Sequence, residues 1–450
     1  MLTIQPISQR EFDIYTLSLT RGPNFEPCAF RAGWKSSRAG AIGAVLVDPA
    51  ERSFRTIVLR RQVDYRFSVT HESGGHTSQD EAAAVVAEAM RPEDPPEPLP
   101  PGDKRRPALF TAGKKGACDH FKLLTGTWTH FPALMTLGEV YLAMPKPDDN
   151  FVPDFQTGNF DSRLWELYLL ACFREQGMSV TQDYPSPDYL IERGGHACWV
   201  EAVTANPKDG RVQGFPAPVH APEDRTERLL GAPAVRFAKT LRSKLQREYE
   251  KVPHVQGHSF ALALADFHAP SSMVWSREAL PCYLYGVHPQ IIDDPGGRRA
   301  VSNPVSALAG DQKIPAGLFR DQSMAHLSAV IFSNAATFSK FNRMGFLAGW
   351  RPPGLTMVRD GVLFDRTPGA LESKPFRLDV LSEEYAALWP GGEAWCQELE
   401  VFHNPLAKYP VSFDLIPGAT HWFERDGEIE CSTIWEASVL ASMTHIDMKK

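Results

Sequence analysis

Two runs near the N-terminus, Ala41–Asp48 and Ser53–Arg60, are apolar in the middle and polar at both ends, with Pro49–Arg52 between them. That is a strand–turn–strand signal. Asp80–Arg91 follows as an alanine-rich helix, and the chain then enters Pro92, Pro95, Pro96, Pro98, Pro100 and Pro101 with acidic residues between. Such a segment cannot be a helix or a central strand, and proline favours extended geometry, so it reads as a semi-rigid linker. A small α+β module is expected over residues 1–105.

Further on, Ser162–Gly177 places Leu164, Leu167, Tyr168 and Ala171 on one helical face. Trp165, Leu169 and Phe173 cover a second, so this helix is expected to be largely buried, with Gly177 as its stop. Three short strand-like runs follow, Met178–Gln182, Asp188–Glu192 and Ala197–Ala205. From about Asp224 to Lys251, Val235, Ala238, Leu241, Leu245 and Tyr249 recur at helical intervals, and Ser259–His268 then reads as a buried strand. The expected order is α-β-β-β-α-β within a domain spanning 106–290. Residues 291–450 are expected to form a loop-rich α+β region, with turns at Pro352-Pro353-Gly354, Gly391-Gly392 and Asn404-Pro405. Cys282–Gly286 and Ser328–Ser333 read as further strands. The fold class is α/β.

Composition narrows the reading. Of 450 residues, 43% are hydrophobic and 22% charged, which excludes wholesale disorder and coiled coil. Thirty-seven prolines, about 8% against a usual ~5%, argue for short elements joined by fixed loops rather than a helical bundle. The net charge of −7 gives no global attraction to nucleic acid or anionic membrane, so any basic surface must be local. Seven scattered cysteines without a C-x-x-C pair read as reduced thiols. With no signal-peptide pattern and no apolar stretch of membrane-spanning length, a cytoplasmic protein without membrane contact is expected.

Candidate chemistry rests on three acids set in apolar elements: Glu166, Asp188 and Glu201. A carboxylate inside a strand such as Cys198–Val203 must be paired, protonated or bound to a cation, because burying it alone is costly. Asp188 opens one strand directly after Pro187, and Glu201 lies thirteen residues later in the next, with Gly194-Gly195 as the turn. A hairpin of that length brings both side chains to one face of adjacent strands, and Glu166 can approach from the preceding helix. Three converging oxygen donors suit Mg²⁺ or Mn²⁺.

Pro187-Asp188, Glu201, the helical Glu166 and the α-β-β-β-α-β order together resemble the PD-(D/E)XK, or restriction-endonuclease-like, nuclease superfamily over about residues 160–268. The resemblance implies that Glu166, Asp188 and Glu201 hold one or two divalent ions, and that a lysine two residues after the glutamate orients the attacking water. Position 203 is valine. A lysine from the following helix is the expected substitute: Lys244 is favoured over Lys239, and Lys208 is a third option. The function implied is metal-dependent hydrolysis of phosphodiesters in nucleic acid, most simply by a DNA endonuclease, for which a homodimer would suit two-strand cutting. The missing lysine supports an alternative, a catalytically inactive nuclease fold serving as a nucleic-acid- or protein-binding subunit.

Blander readings stand beside these. Glu166 could be a solvated helix residue like Asp161, Arg163 and Arg174. Glu201 could pair with Arg193 or Lys208, and Asp188 could cap a turn. His254, His258 and His268 flank a strand too long for them to share one zinc ion. Cys118 and His120 are close in sequence, but geometry defines a nucleophile and its base. Ala112–Gly116 lacks phosphate-loop spacing. Lys104–Arg106, Lys114-Lys115, Arg298-Arg299 and Lys449-Lys450, with Trp128 and Phe131 as stacking candidates, read as ordinary surface, and His403 as a turn residue.

Overall fold

The computed structural model describes residues 4–19, 28–36, 40–90, 96–111, 116–208, 219–295, 297–367 and 370–449. At the N-terminus, strands β1 (Ile4–Ile7), β2 (Ala29–Ser36), β3 (Ala41–Asp48), β4 (Ser53–Arg61) and β5 (Phe67–His76) form an antiparallel sheet in sequence order, and helix α1 (Gln9–Tyr15) follows β1. Helix α2 (Gln79–Met90) lays Ala82, Val86 and Met90 on one face of that sheet, against Ala41, Val45 and Val58. Gly43 permits this approach, because a Cβ there would sit 2.5 Å from Val86. The other face packs on Phe12 and Tyr15 of α1 and on the distant Trp350.

The module is expected to end in a spacer, and the structure differs. Residues 91–95 lie outside the described residues, but Glu97 accepts from Val63 and donates to Arg61 along the sheet margin. Arg106, expected as part of a solvated basic cluster, donates to the carbonyls of Tyr141, Leu142 and Met144. Strand-like backbone pairing and a half-buried guanidinium therefore dock this segment.

Helices α3 (Asp119–Gly126), α4 (Phe131–Leu142), α5 (Phe151–Gln156) and α6 (Phe160–Glu175) come next, then β6 (Ser179–Thr181), β7 (Tyr189–Arg193), β8 (His196–Ala205), α7 (Arg225–Leu230), α8 (Ala232–Leu245) and β9 (Ser259–Asp266). The stop after α6 is Gly177, at φ 77°, whose N–H bonds the carbonyl of Arg174. The single long helix expected over 224–251 is two: Gly231 separates α7 from α8, the Glu227 carboxylate accepts the Ala232 N–H, and Pro233 sits in the first turn of α8.

Helix α9 (Ala279–Tyr285) replaces the strand expected at Cys282–Gly286. Its residues Cys282, Tyr283, Leu284 and Tyr285 are all buried, and a helix apolar all round carries no periodicity to set it apart from a buried strand. Beyond it lie the hairpin β10 (Val287–Asp294) and β11 (Gly297–Pro304), the short pair β12 (Ala307–Leu308) and β13 (Asp311–Pro315), then β14 (Ala329–Phe332) and α10 (Phe338–Ala348). The remaining elements are β15 (Leu355–Leu363), β16 (Lys374–Asp379), α11 (Glu383–Leu388), β17 (Glu400–His403), β18 (Thr420–Arg425), β19 (Glu428–Ser432) and β20 (Val439–Met448).

The central sheet has eight strands in the order β19-β18-β17-β14-β9-β8-β7-β6. β6, β7 and β8 form an antiparallel meander, and β9 joins β8 in parallel after the α7–α8 crossover. β14 is parallel to β9, and β17 returns antiparallel to β14. The boundary expected at 290 is therefore not a break in the core, since half of this sheet comes from residues beyond it. Helix α6 covers one face with Trp165, Tyr168 and Phe173, opposite Ala261, Ala263 and Ala265 of β9. Helix α8 covers the other with Phe237, Ala238 and Leu241, opposite Leu262 and Leu264. The alanine row leaves room for the bulky face of α6, whose Trp165 indole donates to the Ala263 carbonyl at 2.9 Å. Mixed α/β architecture is thus established, and among the described residues no helix is long and apolar enough to cross a membrane.

His403, expected in a turn, is the buried last residue of β17, with its Nε2 2.8 Å from Nδ1 of His421. Burial and the neighbouring imidazole push His403 down to about 3. A histidine held neutral in the fold but protonated when unfolded favours folding above its ordinary value near 6.5, and that contribution is lost as pH falls toward 3. Urea midpoints measured from pH 7 to pH 4 should therefore decline more steeply for the wild type than for His403→Gln; parallel declines would remove His403 as the cause.

Candidate functional site

Three of the expected residues meet at the start of the β7–β8 hairpin. Tyr189 pairs with Val200, which sets Asp188 beside Glu201 and Ala202. The Asp188 carboxylate accepts the Ala202 N–H at 2.7 Å, tying the strand start to its neighbour. Glu201 shares a sheet face with Trp199 and Val203, the face covered by α8, and Lys244 near the end of that helix donates to Glu201 Oε1 at 2.7 Å. Arg247 Nη1 stands 3.6 Å from the same oxygen. The Glu201 side chain is 4% exposed, and its Oε2 is buried with no hydrogen-bond partner among the described residues.

Glu166 reaches the region from α6, on the opposite side of the sheet. Arg163 holds it, with Nη1 at 3.1 and 3.2 Å from its two carboxylate oxygens, and the same guanidinium binds Asp148 at 2.8 Å and Asp154 at 2.7 Å. The Tyr189 hydroxyl donates to the Glu166 backbone carbonyl at 3.1 Å, pinning α6 to β7. Burial, then the charge of Asp188, pushes the Glu166 carboxyl up to about 8. Asp188 is raised to about 7, by burial and then by Glu201. Asp188 thus lies near enough to Glu166 to raise its proton affinity, and Glu201 near enough to raise that of Asp188.

They do not form a ready-made ligand set. Among the described residues no group of three or more His, Cys, Asp or Glu side chains stands where it could hold a metal ion. Convergence is therefore looser than the sequence pattern led one to expect, because Glu166 comes from the far layer and is turned toward Arg163. Arg163 is itself a residue whose role the pattern missed: it is 13% exposed rather than solvated. Its i,i+3 spacing to Glu166 was the available signal. Arg247 and Tyr249 were missed as well. The Tyr249 phenol is buried beside Glu201 and Arg247, and is pushed up by burial and then by Glu201.

The other candidates lie elsewhere. Lys239 pairs with Asp311 at 3.4 Å, and Lys208 is exposed past the strand end. Arg193, a suggested partner for Glu201, bonds the carbonyls of Gln176 and Asp414 instead. Arg174 is buried, and Asp161 is raised by burial with His120 3.6 Å away. The Cys118 thiol is also pushed up by burial, the wrong direction for a nucleophile. His268 bonds Asp266 at 2.7 Å, whereas His254 stacks on Tyr184, so they share no site. Arg298 faces Asp293 and Glu372. Ala112–Lys115 and Lys450 lie outside the described residues.

Comparison of the chain with known protein families, with curated proteins and with solved structures finds no match.

Proposed function

We propose that the protein is a metal-dependent nuclease of the restriction-endonuclease-like type that hydrolyses phosphodiesters, most simply in DNA. The observation that carries this reading is the buried Glu201, paired with the half-buried Lys244 beside Asp188. A lysine borrowed from the crossover helix would serve where position 203 is valine, and Glu201 Oε2, close to the Tyr249 phenol, closes no well-formed hydrogen bond among the described residues. An orphaned carboxylate oxygen inside a protein is costly unless something binds it. The α-β-β-β-α-β order with a parallel β8–β9 pair supports the same reading.

The donor set suits a hard cation, since Glu166, Asp188 and Glu201 offer only oxygen. Burial raises the proton affinity of Glu166 and Asp188, and a divalent ion would offset the charge that their carboxylates carry there. Asp188 and Glu201 would hold Mg²⁺ or Mn²⁺ only once their carboxylates draw together, and Glu166 would join them only on release from Arg163; the ion when bound would lower the pKa of water and offset charge on the phosphoryl group. Lys244, fixed by Glu201, presents its remaining N–H donors to orient the attacking water and to meet negative charge on the phosphate. Ala202 fixes Asp188 through its N–H. Arg247, 58% exposed at the rim, is placed to contact substrate phosphate.

Incubation of the purified protein with supercoiled plasmid and Mg²⁺ should yield nicked or linear DNA, and Asp188→Asn should not; equal activity in both overturns the proposal. One observation favours a second reading, a non-catalytic binding subunit: Arg163 and Lys244 already neutralise two of the acids. Calorimetric titration separates the two, because a working site takes up Mn²⁺ and loses it in Glu201→Ala, whereas a decayed site binds none.

A further inference from the structure

Beside the carboxylates lies an aromatic stack that the proposed hydrolysis leaves unexplained. Tyr184, in the loop between β6 and β7, is 47% exposed. One face of its ring lies flat on His254, with centroids 3.7 Å apart and planes 14° from parallel. Trp199 backs both rings, 5.7 Å from Tyr184 and 4.8 Å from His254. The His254 Nε2 lies 3.0 Å from the carbonyl of Ser186, two residues before Asp188. The platform is thereby fixed to the strand start that carries the site. Trp199 precedes Glu201 by two residues on the same strand face, roughly 7 Å along the chain. On the same side, the segment that delivers His254 also carries Arg247, whose guanidinium is at once exposed and 3.6 Å from Glu201.

An exposed tyrosine needs no explanation by itself. Here the ring is pre-stacked, backed by two further rings and held at the edge of the candidate site. Its hidden face is already occupied, and its outer face is open. A rigid aromatic face of this kind pays little conformational entropy on binding and matches the π-face of a nucleobase. Bases offer that face only when unpaired. A partner cation lies in position for the adjoining backbone phosphate.

We propose that Tyr184, supported by His254 and Trp199, stacks an unpaired nucleobase next to the phosphate presented to Asp188 and Glu201, so that the preferred substrate is single-stranded or locally unpaired nucleic acid. This rests on the nuclease reading for the identity of the site, but the stacking can be measured without cleavage. Fluorescence anisotropy of a labelled oligothymidylate of about 12 nucleotides, in buffer with a chelator, should show binding that Tyr184→Ala weakens about tenfold and Tyr184→Phe preserves. Affinity for a blunt duplex of the same length should be unchanged by either substitution. The exposed position of Tyr184 keeps the fold out of the comparison, and matching thermal midpoints check this.

Equal oligothymidylate affinity in wild type and Tyr184→Ala overturns the stacking proposal, as does failure of the wild type to bind the oligonucleotide. If plasmid is nonetheless cut with Mg²⁺, the nuclease reading survives that failure. Tyr184-dependent binding without any cleavage in Mg²⁺ or Mn²⁺ has the opposite meaning: the platform stands and the catalytic reading falls.

Discussion

Glu201→Gln and Lys244→Met should each lower the rate of Mg²⁺-dependent plasmid cleavage by about 10²–10³-fold, and the double exchange should lose little more than the worse single one. The magnitude is that of removing one positioned charge or donor from a site where charge develops. Non-additivity follows from the contact itself: Lys244 Nζ and Glu201 Oε1 are 2.7 Å apart, so removing either leaves the other without its orienting partner. Lys244→Arg keeps the charge but replaces a compact ammonium by a planar fork, so it should recover only part of the loss. Single-turnover rates of the four proteins measure the coupling. Fully multiplicative losses would show that the two residues act independently and would remove Lys244 from its proposed place. Thermal midpoints serve as the control, since Lys244→Met leaves the Glu201 carboxylate, 4% exposed, without its ammonium partner and should lower stability as well as rate.

A larger effect on stability is expected far from this site, at Glu393. Lys340, Arg343 and Arg359 surround its carboxylate at 2.8, 2.9 and 3.6 Å, and the Tyr385 hydroxyl donates to it. Glu398, bonded by Arg359 at 2.6 Å, is the other acid of the cluster. Burial by itself would push the Glu393 carboxyl up, yet Arg343, Lys340 and Arg359 hold it well below its usual range. Glu393→Gln leaves three enclosed cations facing a single carboxylate. Removing one partner of a buried ionic group costs about 3–5 kcal/mol, so urea denaturation should show a loss of that size. Adding Lys340→Met to Glu393→Gln should restore part of it, because the double variant returns the cluster to its original excess of one positive charge. A loss below about 1 kcal/mol for Glu393→Gln would mean that the cations are hydrated rather than enclosed.

The part of the fold that the sequence revealed is the part with unmixed periodicity. Ala41–Asp48 is a strand over the expected span, and α6 starts and stops within two residues of its expected ends. The meander, the crossover and β9 were legible because each apolar run is bounded by glycine, proline or charge. Where an element is buried on every side, as at α9, the pattern loses its period and the reading fails. Where strands return from far along the chain, as β14 and β17–β19 do, local pattern carries no information about their partners, and a false boundary at 290 resulted. At the site, Asp188 beside Glu201 followed from hairpin length, whereas helical position did not separate Lys244 from Lys239, both lying at the border of the apolar stripe. The grip of Arg163 on Glu166 did not emerge, because a charged residue on a helix reads as solvated until the neighbouring Asp148 and Asp154 are placed around it.

The late arrival of half the central sheet also constrains how the chain can be cut. A fragment ending at 290 would retain every residue of the candidate site but leave β9 without β14, turning an interior strand into an open margin of unpaired amides and carbonyls. Such a product should self-associate during expression, and any shortened version meant for crystallisation or enzymology must run at least through β19, to Ser432.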